Sequence, residues 1–187
     1  MYTEYFGLKE KPFTISPDPR YLYMSEHHRE ALAHLLYGIC SDGCIVLLTG
    51  GVGTGKTTVC RSLLEQLPDN TEAAFIVNPK LSVHELLETI CEELDISFER
   101  RENSVKSYID GINAHLLRSH AKGITTVLII DEAQNLEMEV LEQLRLLTNL
   151  ETNTSKLLKI ILIGQPELLE KLKSPKALQI NQRITSK

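Results

Sequence analysis

Gly50-Gly51-Val52-Gly53-Thr54-Gly55-Lys56-Thr57 is the stretch on which the reading of this chain turns. It satisfies the pattern GxxxxGK[ST], and its surroundings give the pattern meaning. Cys44-Ile-Val-Leu-Leu-Thr49 before it reads as a short buried strand, and Lys56 to Leu67 after it reads as a helix stopped by Pro68-Asp69-Asn70. Phosphate oxygens must be met by backbone N–H groups, so the loop has to curl tightly, and its glycines permit that. The N-terminus of the following helix adds a favourable field for an anion. Gly51, Val52, Gly53, Thr54, Gly55, Lys56, Thr57 and Thr58 are therefore the candidate nucleotide cradle. Lys56 would reach the β- and γ-phosphates, and the Thr57 hydroxyl would ligate Mg²⁺.

Downstream, apolar runs alternate with helical patterns. Ala73 to Asn78 (AAFIVN) is a second buried strand, and Ser82-Val-His-Glu85 is a capping box that opens a helix to about Leu94. Residues 97–103 are charged and loop-like, and Ser104 caps a helix to about Ser119. Thr125 to Ile130 (TTVLII) is a third strand, supported by its β-branched content. A helix over Met138–Leu150 precedes a loop at Glu151 to Ser155, and Leu157 to Ile163 is a fourth strand. Pro166 stands at the first position of a further helix. Strands apolar throughout, alternating with amphipathic helices, indicate an α/β fold with a parallel sheet covered on both faces.

Two further positions carry chemistry. The third strand delivers Asp131 and Glu132 to its C-terminal end, where open α/β sheets bind ligands. There Asp131 would hold Mg²⁺ through water and Glu132 would polarise the attacking water; alone, Asp131 reads equally well as a helix cap. The fourth strand ends Ile163-Gly164-Gln165-Pro166. Gln165 either senses the γ-phosphate and orients the lytic water or caps the helix begun by Pro166.

Upstream of the loop, a helix from Ser25 as N-cap carries Leu32, Leu35, Leu36 and Ile39 at helical spacing, with His27, His28 and Arg29 in its first turn. Gly38 and the Ser41-Asp42-Gly43 run are expected to end it. Residues 1–24 hold Pro12, Pro17 and Pro19 among aromatics that run from Tyr2 to Tyr23 and include Phe6 and Phe13. Proline at that density opposes regular helix. This segment reads as an arm (1–24) lying over the core (25–187), anchored by its rings.

Composition sets the outer limits. The 187 residues suit one domain with one sizeable core. At 42% hydrophobic and 24% charged, the chain is neither disordered nor fibrous. Lys and Arg number 20 against 25 Asp and Glu, a net charge of −5, which excludes a bulk-cationic nucleic-acid coat. Cys40, Cys44, Cys60 and Cys91 lack the spacing of a disulfide framework or of paired zinc ligands, even with His27 and His28 nearby, and read as reduced thiols. The first residues show no secretory leader, and no run has the length of a membrane span, so a soluble, cytoplasmic chain is expected.

The chain resembles an additional-strand P-loop ATPase of the AAA+ class, more narrowly the N-terminal ATPase domain of the ExeA/GspA-type general secretion pathway proteins. Tyr5-Phe-Gly-Leu-Lys9, Pro12-Phe13, Pro17-Asp-Pro19, Tyr21-Leu-Tyr23 and His28-Arg-Glu-Ala-Leu32 carry the likeness. So do Asp131-Glu-Ala-Gln-Asn135, Leu144-Arg-Leu-Leu147, Ile163-Gly-Gln-Pro-Glu-Leu168 and Gln182-Arg-Ile184. The resemblance implies a three-layer sandwich whose sheet sets the Gln165 strand between the loop strand and the Asp131 strand. It also implies ATP and Mg²⁺ as cofactors, homo-oligomers, and an arm and Ser25 helix on the adenine side. Arg183 matches the position of an arginine finger reaching a neighbouring subunit; the alternative is a surface or core-edge arginine, and Arg145 is a weaker rival for the role. At Lys187 the sequence stops where a fifth strand would form, without the helical lid, so it reads as a fragment of reduced activity. The resemblance implies a membrane helix and a periplasmic peptidoglycan-binding part downstream, which would set this domain at the cytoplasmic face of the inner membrane.

Three functions compete. The first is an ATP-hydrolysing protein that switches assembly of a secretion-type envelope complex. The second is a transposition ATPase of the TniB type that binds DNA and a transposase. Against it stand the acidic balance and scattered basic residues, of which Arg100-Arg101 are adjacent, since phosphate contacts need clustered cations. The third is a nucleotide-binding scaffold without turnover, against which an intact Glu132 speaks.

Overall fold

The protein, described by a computed structural model over residues 2–10, 23–41, 43–77, 79–97, 104–152 and 155–186, is organised by one twice-buried sheet. Its strands are β1 (Ile45–Thr49), β2 (Thr71–Ile76), β3 (Thr125–Ile130), β4 (Leu158–Gly164) and β5 (Ile184–Ser186), all parallel, in the order β2-β3-β4-β1-β5. Successive side chains of a strand point to opposite faces. In β1, β3 and β4 both sets are apolar. Ile45, Leu47, Leu128, Ile130, Ile160 and Leu162 enter one core, while Val46, Val127, Ile129, Ile161 and Ile163 enter the other. Each such side chain contributes about 1.5–3 kcal/mol on burial, so helices must cover both faces.

The second set is covered by α2 (Glu26–Cys40), through Leu32, Leu35 and Ile39, and by α3 (Lys56–Glu65), through Val59, Cys60 and Leu63. The first is covered by α4 (Val83–Glu93), α5 (Val105–Ala121) and α6 (Met138–Leu147), then by the short helices α7 (Glu167–Lys173) and α8 (Leu178–Asn181). The result is the three-layer α/β sandwich expected, with β4 between β1 and β3. Ser25, Ser82 and Ser104 cap α2, α4 and α5, the last two in reciprocal capping boxes. Each such cap contributes about 1 kcal/mol.

Several expectations need correction. A fifth strand does form: Ile184 pairs with Ile45, against the reading that the sequence stops short of it. Gly38 does not end α2. It lies inside the helix, where an added Cβ would come within 2.2 Å of Val46 Cγ2, so its role is to let α2 approach β1. The second strand is Thr71–Ile76 rather than Ala73 to Asn78, and α6 ends at Leu147 rather than at Leu150, where Thr148 turns its hydroxyl back onto the Arg145 carbonyl at 2.6 Å. In the arm a single helical turn, α1 (Tyr2–Tyr5), precedes the first proline. Among the described residues, the rings of Tyr5, Phe6 and Tyr23 do not anchor it: they are 84%, 68% and 85% exposed. Pro12, Phe13, Pro17, Pro19, Tyr21, Asp42, Asn78 and the charged stretch 98–103 with Arg100 and Arg101 lie outside the described residues.

Candidate functional site

Register places the predicted site residues along one edge of the sheet. Thr49 at the end of β1 pairs with Gly164 at the end of β4, and Ile130 of β3 pairs with Leu162. The loop after β1, Gln165 after β4 and the two carboxylates after β3 therefore leave the sheet side by side. The Gly50 amide fastens this corner by donating to the Gly164 carbonyl at 3.2 Å.

The loop curls through Gly53 and Gly55, whose φ angles of 76° and 82° are left-handed, so a side chain at either would be strained. Thr54 Oγ1 donates to the Gly51 carbonyl at 2.9 Å, and Lys56 Nζ donates to the carbonyls of Gly50 and Gly51 at 2.9 and 2.8 Å. The ammonium thus spans its own loop, with Gly55 as N-cap and Lys56 as first residue of α3. Thr57, one residue further, points its hydroxyl across to β3 and donates to Asp131 Oδ2 at 2.8 Å. Asp131 Oδ1 accepts the Glu132 amide at 2.9 Å. Asp131 is 1% exposed, and no cationic side chain among the described residues pairs with it. A buried carboxylate beside a hydroxyl is a set of hard oxygen donors that suits Mg²⁺, so Thr57 and Asp131 fit the ion expected there. The Cys60 thiol behind them is pushed up to about 12 by burial and by the Asp131 charge, and remains an inert core group.

Glu132 adopts left-handed backbone geometry at φ 55°, a conformation costing about 1–3 kcal/mol that functional sites commonly retain. Its Oε2 receives the Gln134 side-chain amide and, at 3.4 Å, the Gln165 amide. A cavity of about 310 Å³ is lined by Val52, Gly53, Gly55, Lys56, Thr57, Thr58, Glu132 and Gln165. Gly51 and Thr54 sit in the loop behind it, and Asp131 lies beneath Thr57. A larger cleft, about 780 Å³, lies between the starts of α4 and α6 and holds none of the predicted site residues.

Arg183 is elsewhere. It precedes Ile184, which pairs with the first residue of β1, so it stands at the opposite end of the sheet from the loop. Its guanidinium donates to Thr148 Oγ1 at 3.2 Å and to Asn149 Oδ1 at 2.7 Å. Arg145 forms a two-point pair with Glu142 on its own helix.

Three contributors had no role in the sequence reading. His28 Nε2 lies 3.0 Å from the Thr54 carbonyl, while its Nδ1 lies 3.1 Å from both the Tyr23 carbonyl and Ser25 Oγ, which ties the start of α2 to the loop. Gln134 accepts the Gln165 amide at 3.0 Å through its Oε1. Lys171 of α7 donates to the carbonyls of Gln134 and Leu136, both at 2.7 Å. His28 and Gln134 fall in stretches that carry the family likeness, but nothing in their local sequence shows what they touch.

Phosphate loop, hydroxyl–carboxylate pair and sheet order together define a P-loop nucleoside-triphosphatase fold. More specifically, a family model described as an AAA domain matches residues 25–172, and the chain belongs to that family. It is 56% identical, over all 187 residues, to General secretion pathway protein A of Aeromonas hydrophila, of which it spans 34%. The likeness to general secretion pathway ATPases read from the sequence is thereby supported. Among solved structures it is similar to Cdc6p from Pyrobaculum aerophilum (TM-score 0.70, 19% identity, 94% of this chain and 48% of that one). It is also similar to the ORC2 protein of Aeropyrum pernix (TM-score 0.66, 16% identity, 95% and 51%). At those identities the likeness establishes the fold alone. No helix among the described residues is long and apolar enough to cross a membrane.

Proposed function

We propose that the chain binds ATP with Mg²⁺ in the cavity between the loop and the ends of β3 and β4, and hydrolyses it. The observation that carries this reading is the convergence of Lys56, Thr57, Glu132 and Gln165 on one cavity, with Asp131 bonded to Thr57 beneath it. Gly51 to Gly55 turn their amides toward the phosphates, and Lys56 exchanges its loop carbonyls for β- and γ-phosphate oxygens. A magnesium ion held by Thr57, and through water by Asp131, would offset charge on those oxygens. Glu132 takes a proton from water as the water oxygen bonds to the γ-phosphorus and the bond to the ADP oxygen breaks. Gln165, beside Glu132, orients that water. Arg183 completes a neighbouring subunit's site in a homo-oligomer, where an arginine supplied in trans contributes roughly 10³–10⁵ in rate. For that it must leave Thr148 and Asn149.

In the larger setting the ATP cycle switches contacts in a secretion-type envelope assembly at the cytoplasmic face of the inner membrane, with no nucleic-acid partner. The secretion role rests on the 56% identity to General secretion pathway protein A, of which the chain spans about a third, and the nucleic-acid part on the net charge of −5. The test of the site is calorimetric titration with ATP and Mg²⁺. Lys56→Ala should weaken binding at least tenfold, and equal affinity in wild type and variant would remove the phosphate role assigned to Lys56.

A further inference from the structure

We propose that Gln134 is a positioning residue that latches Glu132 to the end of β4, so that the catalytic carboxylate is aimed by the same strand end that carries Gln165. This rests on the hydrolytic reading above. The Gln134 side chain is held by two contacts of opposite polarity. Its Oε1 accepts the backbone amide of Gln165 at 3.0 Å, and its Nε2 donates to Glu132 Oε2. Those contacts fix which end of the amide faces the carboxylate. A carboxylate in its place would keep the first contact and lose the second, because an ionised side chain accepts only.

The surroundings hold the latch in place. Lys171 grips the Gln134 and Leu136 carbonyls at 2.7 Å each, which fixes the short turn on which Gln134 rides. Gly164 makes room for the amide: a Cβ there would come within 2.8 Å of Gln134 Oε1 and 2.9 Å of Leu168 Cδ2. Gln134 does not line the phosphate cavity, whereas Glu132 does while held. The contact therefore leaves Glu132 facing the cavity assigned to the phosphates. Because the latch is anchored on the Gln165 backbone amide, a shift of Gln165 toward bound nucleotide is passed to Glu132 through the Gln134 side chain, beside the direct 3.4 Å contact from Gln165 Nε2.

The test compares Gln134→Ala and Gln134→Glu with wild type, alone and combined with Glu132→Gln, measuring steady-state hydrolysis, ATP affinity and thermal midpoint. Loss of catalytic alignment costs on the order of 100-fold where geometry is critical. Both single variants should lose roughly 10- to 100-fold in kcat, with ATP affinity within about twofold of wild type. In the Glu132→Gln background either substitution should remove nothing more. A rate unchanged in the single variants, or an equal loss with and without Glu132, overturns the latch. Absence of hydrolysis in wild type would refute the hydrolytic reading instead. The latch would then be judged by the Gln134 side-chain amide resonances, which must move on Glu132→Ala if the contact exists and stay put if it does not.

Discussion

Replacing Gly38 by alanine tests how α2 is seated on the sheet, and hence how the His28 end of that helix is held against the loop. The new methyl would start 2.2 Å from Val46 Cγ2, where carbon atoms rest comfortably at about 3.5–4.0 Å. Val46 is 3% exposed and belongs to the core facing α2 and α3, so it has no free space to turn into. Overpacking of this kind costs about 1–3 kcal/mol, partly offset by the roughly 1 kcal/mol that alanine gains over glycine inside a helix. Val46→Ala alone removes two buried carbons at about 0.8 kcal/mol each, plus a cavity cost. In the double variant the alanine methyl at 38 occupies the space vacated at 46. The two changes should therefore couple favourably by about 1–3 kcal/mol. Urea unfolding followed by circular dichroism, at matched slopes, gives the four free energies of the cycle. At about 2–4 °C per kcal/mol for a chain of this size, calorimetry should show the same coupling in the thermal midpoints. Additivity within about 0.5 kcal/mol would refute the argument, because it would mean that α2 and β1 do not meet at Gly38 and Val46.

Two further outcomes are expected. Burial pushes the Glu72 carboxyl up, but hydrogen bonds from Thr126, Ser119 and His115, with the His115 charge, outweigh it and hold the group below its usual value. A depressed carboxylate stabilises the fold above its unfolded value and loses that contribution as pH falls through the folded one. The stability gap between wild type and Glu72→Gln should therefore shrink from pH 5 to pH 3 in denaturant titrations, and a gap constant over that range would contradict the network. His28→Ala removes the donor at the Thr54 carbonyl, so ATP affinity should fall roughly two- to tenfold, from about 0.5–1.5 kcal/mol for one hydrogen bond. Titration calorimetry checks it, and unchanged affinity would show that the tie is idle.

What could be read from sequence, and what could not, follows from the range of the forces involved. The loop from Gly50 to Thr57 and the strand ending in Asp131 were legible because backbone curvature, apolar runs and residue type are local. The β3 bounds, Thr125–Ile130, agree for the same reason. Gly38 was misread because its reason lies across the helix–sheet interface, in Val46, and not in its neighbours. The rings of Tyr5, Phe6 and Tyr23 pointed to anchorage because aromatic residues usually bury area, yet burial depends on a partner surface that no local pattern reveals. Gln134 and Lys171 were invisible as a pair: 37 residues separate them, and only the return of β4 beside β3 brings α7 under the turn after Asp131. The short β5 was missed because three residues carry too little periodicity to stand out from a chain end.

Whether Glu132 serves as the base in a working P-loop site is decided by one comparison. Wild type and Glu132→Gln are assayed for Mg²⁺-dependent ATP hydrolysis, with nucleotide affinity measured on the same samples. Both should bind ATP alike while the variant loses roughly 10²–10⁴ in rate, the range of general-base catalysis. Hydrolysis by Glu132→Gln at the wild-type rate would contradict it.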